Sequence, residues 1–550
     1  MSRNLRRACL LAAGGLLLPA RAAHSQDKVA AKAAEALATV RKGEGEARIA
    51  AARDLAALGA EGFRHLLADP PPGSDAGAWE ALAEGLGAKD PAQAASDLLS
   101  YRSGWPRQAK ERVEGLLAAL RDGIRGPRRQ RSELAEAVVE GATDLPPFLW
   151  IPLVGEGTLP DGFAPGPVAF AVDDRGLRVD AAGKGRADKR LGAALQILRL
   201  GPRGGERPVA FVRRMDLWYA ASASVLRGKM GREPLEFLDG NGDGALDGPE
   251  DWVRVGRDAA FQRVHPDRTL WTEKGMAIWA IVTGEKGPEV DWFPEPAPSW
   301  AEAKHLAAWE WLNRWRAEAG IPPVRLDRPW TEAGDLHARY MAFHGISHEE
   351  EEGKEGYTRE GRSAGMTGSI GGYAEPLELI ESISATILHR VSLVGRAEDG
   401  MGLGSGPGGS VARGGPIDVP AGTPPVLVPG AGQGNVPRTC NRERPTPDRV
   451  PMMYEAERGY PVSVHFPGYS REWTDIRFEL FEGPREKEVF GYTFSPKEPV
   501  TTTIGLEKNY WAAHFVSRDP LRPATEYTAR FTAARPGTEP LVLVWGFRTR

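Results

Sequence analysis

The run His305-Leu306-Ala307-Ala308-Trp309-Glu310-Trp311-Leu312-Asn313-Arg314-Trp315-Arg316-Ala317-Glu318-Ala319-Gly320 carries more structural information than any other part of the chain. Leu306, Trp309, Leu312 and Trp315 recur every three residues and draw one apolar stripe, so an amphipathic helix is expected. Gly320 ends it, and Pro322-Pro323 prevents its resumption. A second helical pattern runs from Trp330 to His344 and stops at Gly345. Ile346-Ser347-His348 follows, with the acidic run Glu349 to Glu352 behind it. A third helix is expected from Pro376 to Leu388, leading into His389-Arg390-Val391-Ser392-Leu393-Val394. Gly400-Met401-Gly402-Leu403-Gly404 reads as a glycine-spaced strand.

That order resembles the bacterial branch of the CAP superfamily, the SCP-like extracellular proteins. The matching residues are Arg316 to Gly320, Ser347-His348, His389-Arg390 with Leu393-Val394, and Gly400 to Leu403. The resemblance implies an α-β-α sandwich with a central cleft, and places His348 and His389 at that cleft. The family's Gly-Glu-Asn-Ile segment corresponds here to Gly368-Ser369-Ile370-Gly371, so its glutamate is replaced by Ser369. Glu378 or Glu381 on the third helix is the candidate replacement carboxylate. Two neutral imidazoles with a carboxylate and a water could hold zinc. The plain alternative is that both histidines cap helix ends.

Outward from this unit, the chain divides by pattern. Residues 1–25 read as a signal peptide: Arg3, Arg6 and Arg7 precede an apolar core from Ala8 to Ala20, and Ala23-His24-Ser25 fits a cleavage site. The mature chain is then exported to the periplasm, cell surface or medium, with Cys440 as its lone cysteine and no internal disulfide. Residues 26–145 are alanine- and leucine-rich and helical, and Ile49 to Gly59 with Phe63, Leu66 and Leu67 resembles a HEAT-like pair. Residues 146–290 change to short strands, among them Val168 to Val172 and Leu195 to Leu200. Pro294 to Pro298 is read as a linker into the CAP-like unit, residues 300–420. Residues 425–550 alternate as a sandwich and resemble the immunoglobulin-like module that follows the CAP unit in some bacterial proteins. Its expected strands are Pro461–Phe466, Ile476–Phe481, Tyr527–Phe531 and Leu541–Phe547. The fold class is therefore multidomain α+β.

Within the β-rich domain, Asp239-Gly240-Asn241-Gly242-Asp243-Gly244-Ala245-Leu246-Asp247-Gly248-Pro249-Glu250 fits the twelve-residue calcium loop. Asp239, Asn241 and Asp243 would give side-chain oxygens, Ala245 its carbonyl, Asp247 a direct or water-bridged contact, and Glu250 a bidentate carboxylate. Leu235 to Leu238 reads as a strand, so a calcium-binding turn between strands is expected; a metal-free Asx-turn hairpin and an EF-hand are the other readings.

A net charge of −4 with no basic face excludes a nucleic-acid binder, and no second apolar run reaches membrane length. No Gly-x-Ser-x-Gly elbow is present; a Ser369–histidine pair is the one nucleophilic arrangement open. Glu349 to Glu352 reads as a solvated loop. The functional expectation is a non-enzymatic binding or scaffold protein for a lipid, envelope glycan or protein. The alternatives are a metal-assisted hydrolase built on the histidines and a structural surface protein with a vestigial cleft.

Overall fold

The structure, a computed structural model, describes residues 28–550 except 59, 73–74, 89, 106–109, 125–128, 140–144, 160–162, 164–166, 182–183, 193–194, 202–205, 216, 241–244, 247, 258, 396–399, 415–422, 445–456, 467–471, 484–485, 497–499, 502–506, 509–510 and 539. The signal-peptide reading therefore lies outside the described residues, as do Asn241, Asp243 and Asp247 of the calcium-type loop. The chain forms two compact units.

The first unit is a helical bundle: α1 (28–42), α2 (Glu46–Ala57), α3 (Ala60–Ala68), α4 (Ala76–Gly87), α5 (Pro91–Leu99) and α6 (Lys110–Gly123). Asp75 and Asp90 cap α4 and α5 by accepting from Ala78 N and Gln93 N, which explains where each helix starts. Leu37, Leu55, Phe63, Trp79, Leu98 and Leu116 share its core. The expected linker is instead a docked strap. Ser96 Oγ donates to Pro296 O at 2.7 Å, Gln93 Nε2 to Ala297 O at 3.0 Å, and Ser299 N and Oγ to Asp97 at 2.7 Å each. Burial raises the Asp97 carboxyl above its ordinary range, and these donors oppose that shift.

In the second unit the strands begin earlier than residue 146. Gln130–Glu133 pairs with Pro288–Pro294, and Ala135–Val138 with Ser224–Met230, both antiparallel. These are four-residue edge strands rich in charge, too short to show alternation in the sequence. Among the described residues this region holds four antiparallel sheets, the two with these edge strands included, and its expected strands appear as Ala169–Asp173 and Gln196–Leu200. C-terminal to it, two four-stranded sheets enclose Phe478, Phe515, Phe531 and Trp545. The strands expected there are Val462–His465, Thr474–Glu482, Glu526–Ala534 and Leu541–Arg548.

Between these regions lie α7 (Ala303–Glu318), α8 (Arg328–His344), α9 (Arg359–Thr367) and α10 (Pro376–Ser384), with strands Ser369–Gly371, Met401–Gly406 and Gly409–Gly414. Trp309, Leu312 and Trp315 are buried as the stripe requires. The same face also buries polar groups: Asn313 brackets Val324 through both its amide atoms, and Arg316 reaches Pro322 O at 2.8 Å and Leu393 O at 2.7 Å. The third helix stops at Ser384, short of the expected Leu388, and a 3-10 turn covers His389–Leu393.

The glycine spacing of Met401–Gly406 is explained by α8. A Cβ at Gly402 would lie 2.6 Å from Trp330 Cβ, one at Gly404 2.4 Å from Gly334 C, and one at Gly406 3.2 Å from Ala338 Cβ. Alternate strand residues thus meet every fourth helix residue, because two strand steps and four helix steps both span roughly 6–7 Å. Register fixes the layering. Gly404, Val411 and Ile370 stand in one row facing α8, whereas Ser405, Ser410 and Gly371 face the other way, where a Cβ at Gly371 would meet Leu379 of α10 at 3.0 Å. The layers run helix, sheet, helix.

Candidate functional site

α8 carries a histidine that the sequence reading passed over. His337 is fully buried; its Nδ1 lies 2.9 Å from Glu350 Oε1 and its Nε2 2.8 Å from Ser347 O. Ser347 O can only accept, so Nε2 carries a proton, and one further proton lies between Nδ1 and the carboxylate. Glu350 Oε2 accepts from Thr358 N at 2.8 Å, and Thr358 Oγ1 in turn caps α9 by accepting from Gly361 N at 2.9 Å. Glu350 is therefore a buried anchor within a run read as solvated; Glu349, Glu351 and Glu352 remain exposed. A buried carboxylate needs partners, and His337 with Thr358 supplies them.

His348, exposed after the end of α8, donates from Nδ1 to Gly365 O of α9 at 2.7 Å. Gly345, at φ 81°, ends α8 as expected, which leaves His344 bonded to Glu355 O at 2.9 Å and tilted at 40° against the Tyr340 ring at 4.4 Å. His389 lies elsewhere. Its Nδ1 is 2.9 Å from Glu443 Oε2, and Glu443 also accepts from the backbone N–H groups of Ile387, Leu388 and His389. Glu443 is 5 % exposed and comes from 54 residues downstream, so spacing could not reveal it. The carboxylate engages Nδ1 and thereby orients the half-buried His389 ring, with Nε2 as its other nitrogen.

Ser369 is buried, and its hydroxyl lies 3.2 Å from Ser392 Oγ, which donates to His389 O at 2.8 Å. Ser369 thus meets a serine and not an imidazole. Its register row, shared with Leu403 and Ala412, faces away from α8. His348 is tied to α9, whose Ala364 packs with Ala338, Val411 and Ile370 on the α8 side. The two histidines are anchored to opposite faces of the sheet. Glu378 and Glu381 lie on the exposed side of α10, and the carboxylates that do meet histidines are Glu350 and Glu443. Among the described residues, no group of three or more His, Cys, Asp or Glu side chains is placed to hold a metal ion.

Four large apolar side chains of this layer remain outside: Phe343 at 51 %, Ile346 at 60 %, Met366 at 52 % and Tyr373 at 37 % exposure. A Cβ on Gly372 would lie 2.9 Å from Ile346 Cδ1, so Ile346 rests on the backbone beside Tyr373. The Tyr373 hydroxyl donates to Ser382 Oγ of α10 at 2.7 Å, and the Phe343 ring lies against Gly356. The loop after α8 and the loop before α10 meet here.

The calcium-type loop joins antiparallel strands Glu233–Leu238 and Trp252–Val255, so the flanks are strands and not helices. Asp239, Ala245 and Glu250 are the ligand positions that are described. Glu250 turns its carboxylate back toward Gly248, where a Cβ would lie 2.4 Å from its Oε2. Asp251, buried and not foreseen, ties the loop's base by accepting from Gly240 N at 3.0 Å and Gly248 N at 2.8 Å.

Cys440 packs on Ile387, Phe494 and Val516. Burial, and then the charge of Glu443, push its thiol well above the ordinary range, which makes it a poor nucleophile. Among the described residues, no helix is long and apolar enough to cross a membrane. No family model, curated protein or solved structure matches the chain.

Proposed function

We propose that this chain is an exported, non-enzymatic binding or scaffold protein whose CAP-like layer takes a lipid, envelope glycan or protein partner. The observation that carries the reading is the exposed apolar surface of Ile346 and Tyr373, brought together where two loops meet, with exposed Phe343 three residues before Ile346. A soluble surface keeps such clusters small unless they bind something. The polar residues beneath it are occupied in holding the layer together: His337, Glu350 and Thr358 satisfy one another.

The test is retention of three immobilised probes by the full chain: phospholipid vesicles, a peptidoglycan-type glycan polymer and amphipathic peptides. Retention of one class that is lost in Ile346→Asn supports a binding surface. Retention unchanged by that substitution, or none at all, favours a structural surface protein.

The calcium reading of Asp239–Glu250 is retained as part of the proposal. It is supported by the Glu250 carboxylate turned onto the loop and by the strand flanks. In this role the ion would pin a turn and take no part in chemistry. Calcium titration by calorimetry should give a single weak site that disappears in Asp239→Asn.

A second reading, a metal-assisted hydrolase employing zinc, is favoured by one observation: Glu443 fixes the His389 ring through Nδ1, the carboxylate–histidine pairing that orients metal-ligating imidazoles. That reading requires hydrolytic turnover that falls with His389→Ala and that, in the wild type, is lost to a chelator and restored by zinc.

A further inference from the structure

The segment that carries the apolar group is predominantly acidic on its surface. Between Phe343 and Glu381, the exposed carboxylates are Glu349, Glu351, Glu352, Glu355, Glu360, Glu375, Glu378 and Glu381. The exposed cations in the same span are Lys354, Arg359 and Arg362, and Lys354 is already paired with Glu351 at 2.7 Å. This one segment is therefore more acidic than the whole chain, whose net charge is −4. The placement is local. Glu349 follows Ile346 by three residues, and Glu355 O holds His344 beside Phe343. Glu378 lies one helical turn before Ser382, the residue that Tyr373 touches.

We infer that the surface of Phe343, Ile346 and Tyr373, with the acidic residues of its segment, docks a cationic, amphipathic polypeptide segment; this rests on the binding reading above. Charge decides among the occupants. Anionic lipid headgroups would meet repelling carboxylates, and so would a second copy of the same acidic face. A segment with lysine or arginine on one side and leucine or phenylalanine on the other satisfies both halves of the surface. Its apolar side covers Ile346 and Tyr373, while its cations meet Glu349, Glu352 and Glu378. Glu350 takes no part, because it is buried against His337.

The experiment is fluorescence anisotropy with the full chain and two labelled peptides of equal hydrophobicity. One is an amphipathic helix carrying lysines, and the other carries glutamates in their place. The lysine peptide should bind and the glutamate peptide should not. Ile346→Asn, at an exposed position, should weaken binding about tenfold or more while circular dichroism stays unchanged. The triple variant Glu349→Gln/Glu352→Gln/Glu378→Gln should weaken it about tenfold and flatten its salt dependence. Equal binding of both peptides, each lost in Ile346→Asn, would overturn the cationic partner and leave the binding surface standing. Binding of neither peptide, or binding indifferent to Ile346→Asn, would overturn both. Self-association in sedimentation that Ile346→Asn abolishes would make the occupant a second copy and overturn this inference.

Discussion

Acid should loosen the seam between the C-terminal sandwich and the α-β-α layer, and His465 sets the amount. Its Nε2 lies 3.0 Å from Ser463 Oγ, and its ring meets His514 edge-on at 5.6 Å. Arg390, also fully buried, donates to Pro461 O and Ser463 Oγ in the same place. Burial first, then the Arg390 charge, depress the His465 imidazole to about 3; burial, His465 and Arg390 hold His514 well below its ordinary value. Above the unfolded value of about 6.5 the imidazole is neutral in both states and stability is unaffected. Below it the unfolded chain binds a proton that the fold refuses, so stability falls with pH until the folded value is reached. The loss is about 1.4 kcal/mol per pH unit, which makes about 2 kcal/mol for His465 alone at about pH 5. His514 adds to it in the same direction. The assay is hydrogen–deuterium exchange of peptides covering Val462–His465 and Ala512–Ser517, corrected for intrinsic exchange, at about pH 7.5 and about pH 5. The wild type should open about 30-fold more readily at the lower pH than His465→Gln does over the same interval. Identical pH dependence in wild type and variant would refute the argument, since it would mean that folded and unfolded chains protonate His465 alike.

Three other outcomes are expected. Gly404→Ala forces a methyl into α8 and should lower stability by about 1–3 kcal/mol in urea unfolding, whereas alanine at Gly115, with open space around its Cβ, should not destabilise. Glu443→Gln removes the charge that accepts from three backbone N–H groups and His389, and should cost about 1.5–3 kcal/mol, read as a lowered melting temperature. Arg390→Met strands Pro461 O in the interior and leaves Ser384 O to the Tyr460 hydroxyl, and should cost about 3 kcal/mol or more in the same assay; Arg390→Lys should rescue little, because one ammonium cannot span the two carbonyls.

What the sequence disclosed and what it withheld follow one physical division. The stripe Trp309–Leu312–Trp315, the stop at Gly345 and the strands Thr474–Glu482 and Leu541–Arg548 were legible because each is written in a local period or a single glycine. The glycines of Met401–Gly406 were visible as a pattern, but their reason, the close approach of α8, belongs to two segments far apart in sequence. The polar anchors were hidden for the same cause. Glu350 looks like its exposed neighbours until His337 is placed beside it, and Glu443 is 54 residues from the histidine it orients. Asp97 gives no sign in sequence that residues 295–306 will dock on it as a strap and not pass as a linker. Buried charge is an agreement between distant residues, whereas burial of apolar area is announced by each residue for itself. A reading that picks histidines by type therefore finds His348 and His389 and assigns them the wrong companions, Glu378 and Glu381, which are exposed on α10. The same logic makes the exposed apolar residues of this layer informative. Phe343, Ile346 and Tyr373 break the rule of self-announced burial: each is large and apolar, yet each stays more than a third exposed, and it is this departure that the proposed binding surface rests on.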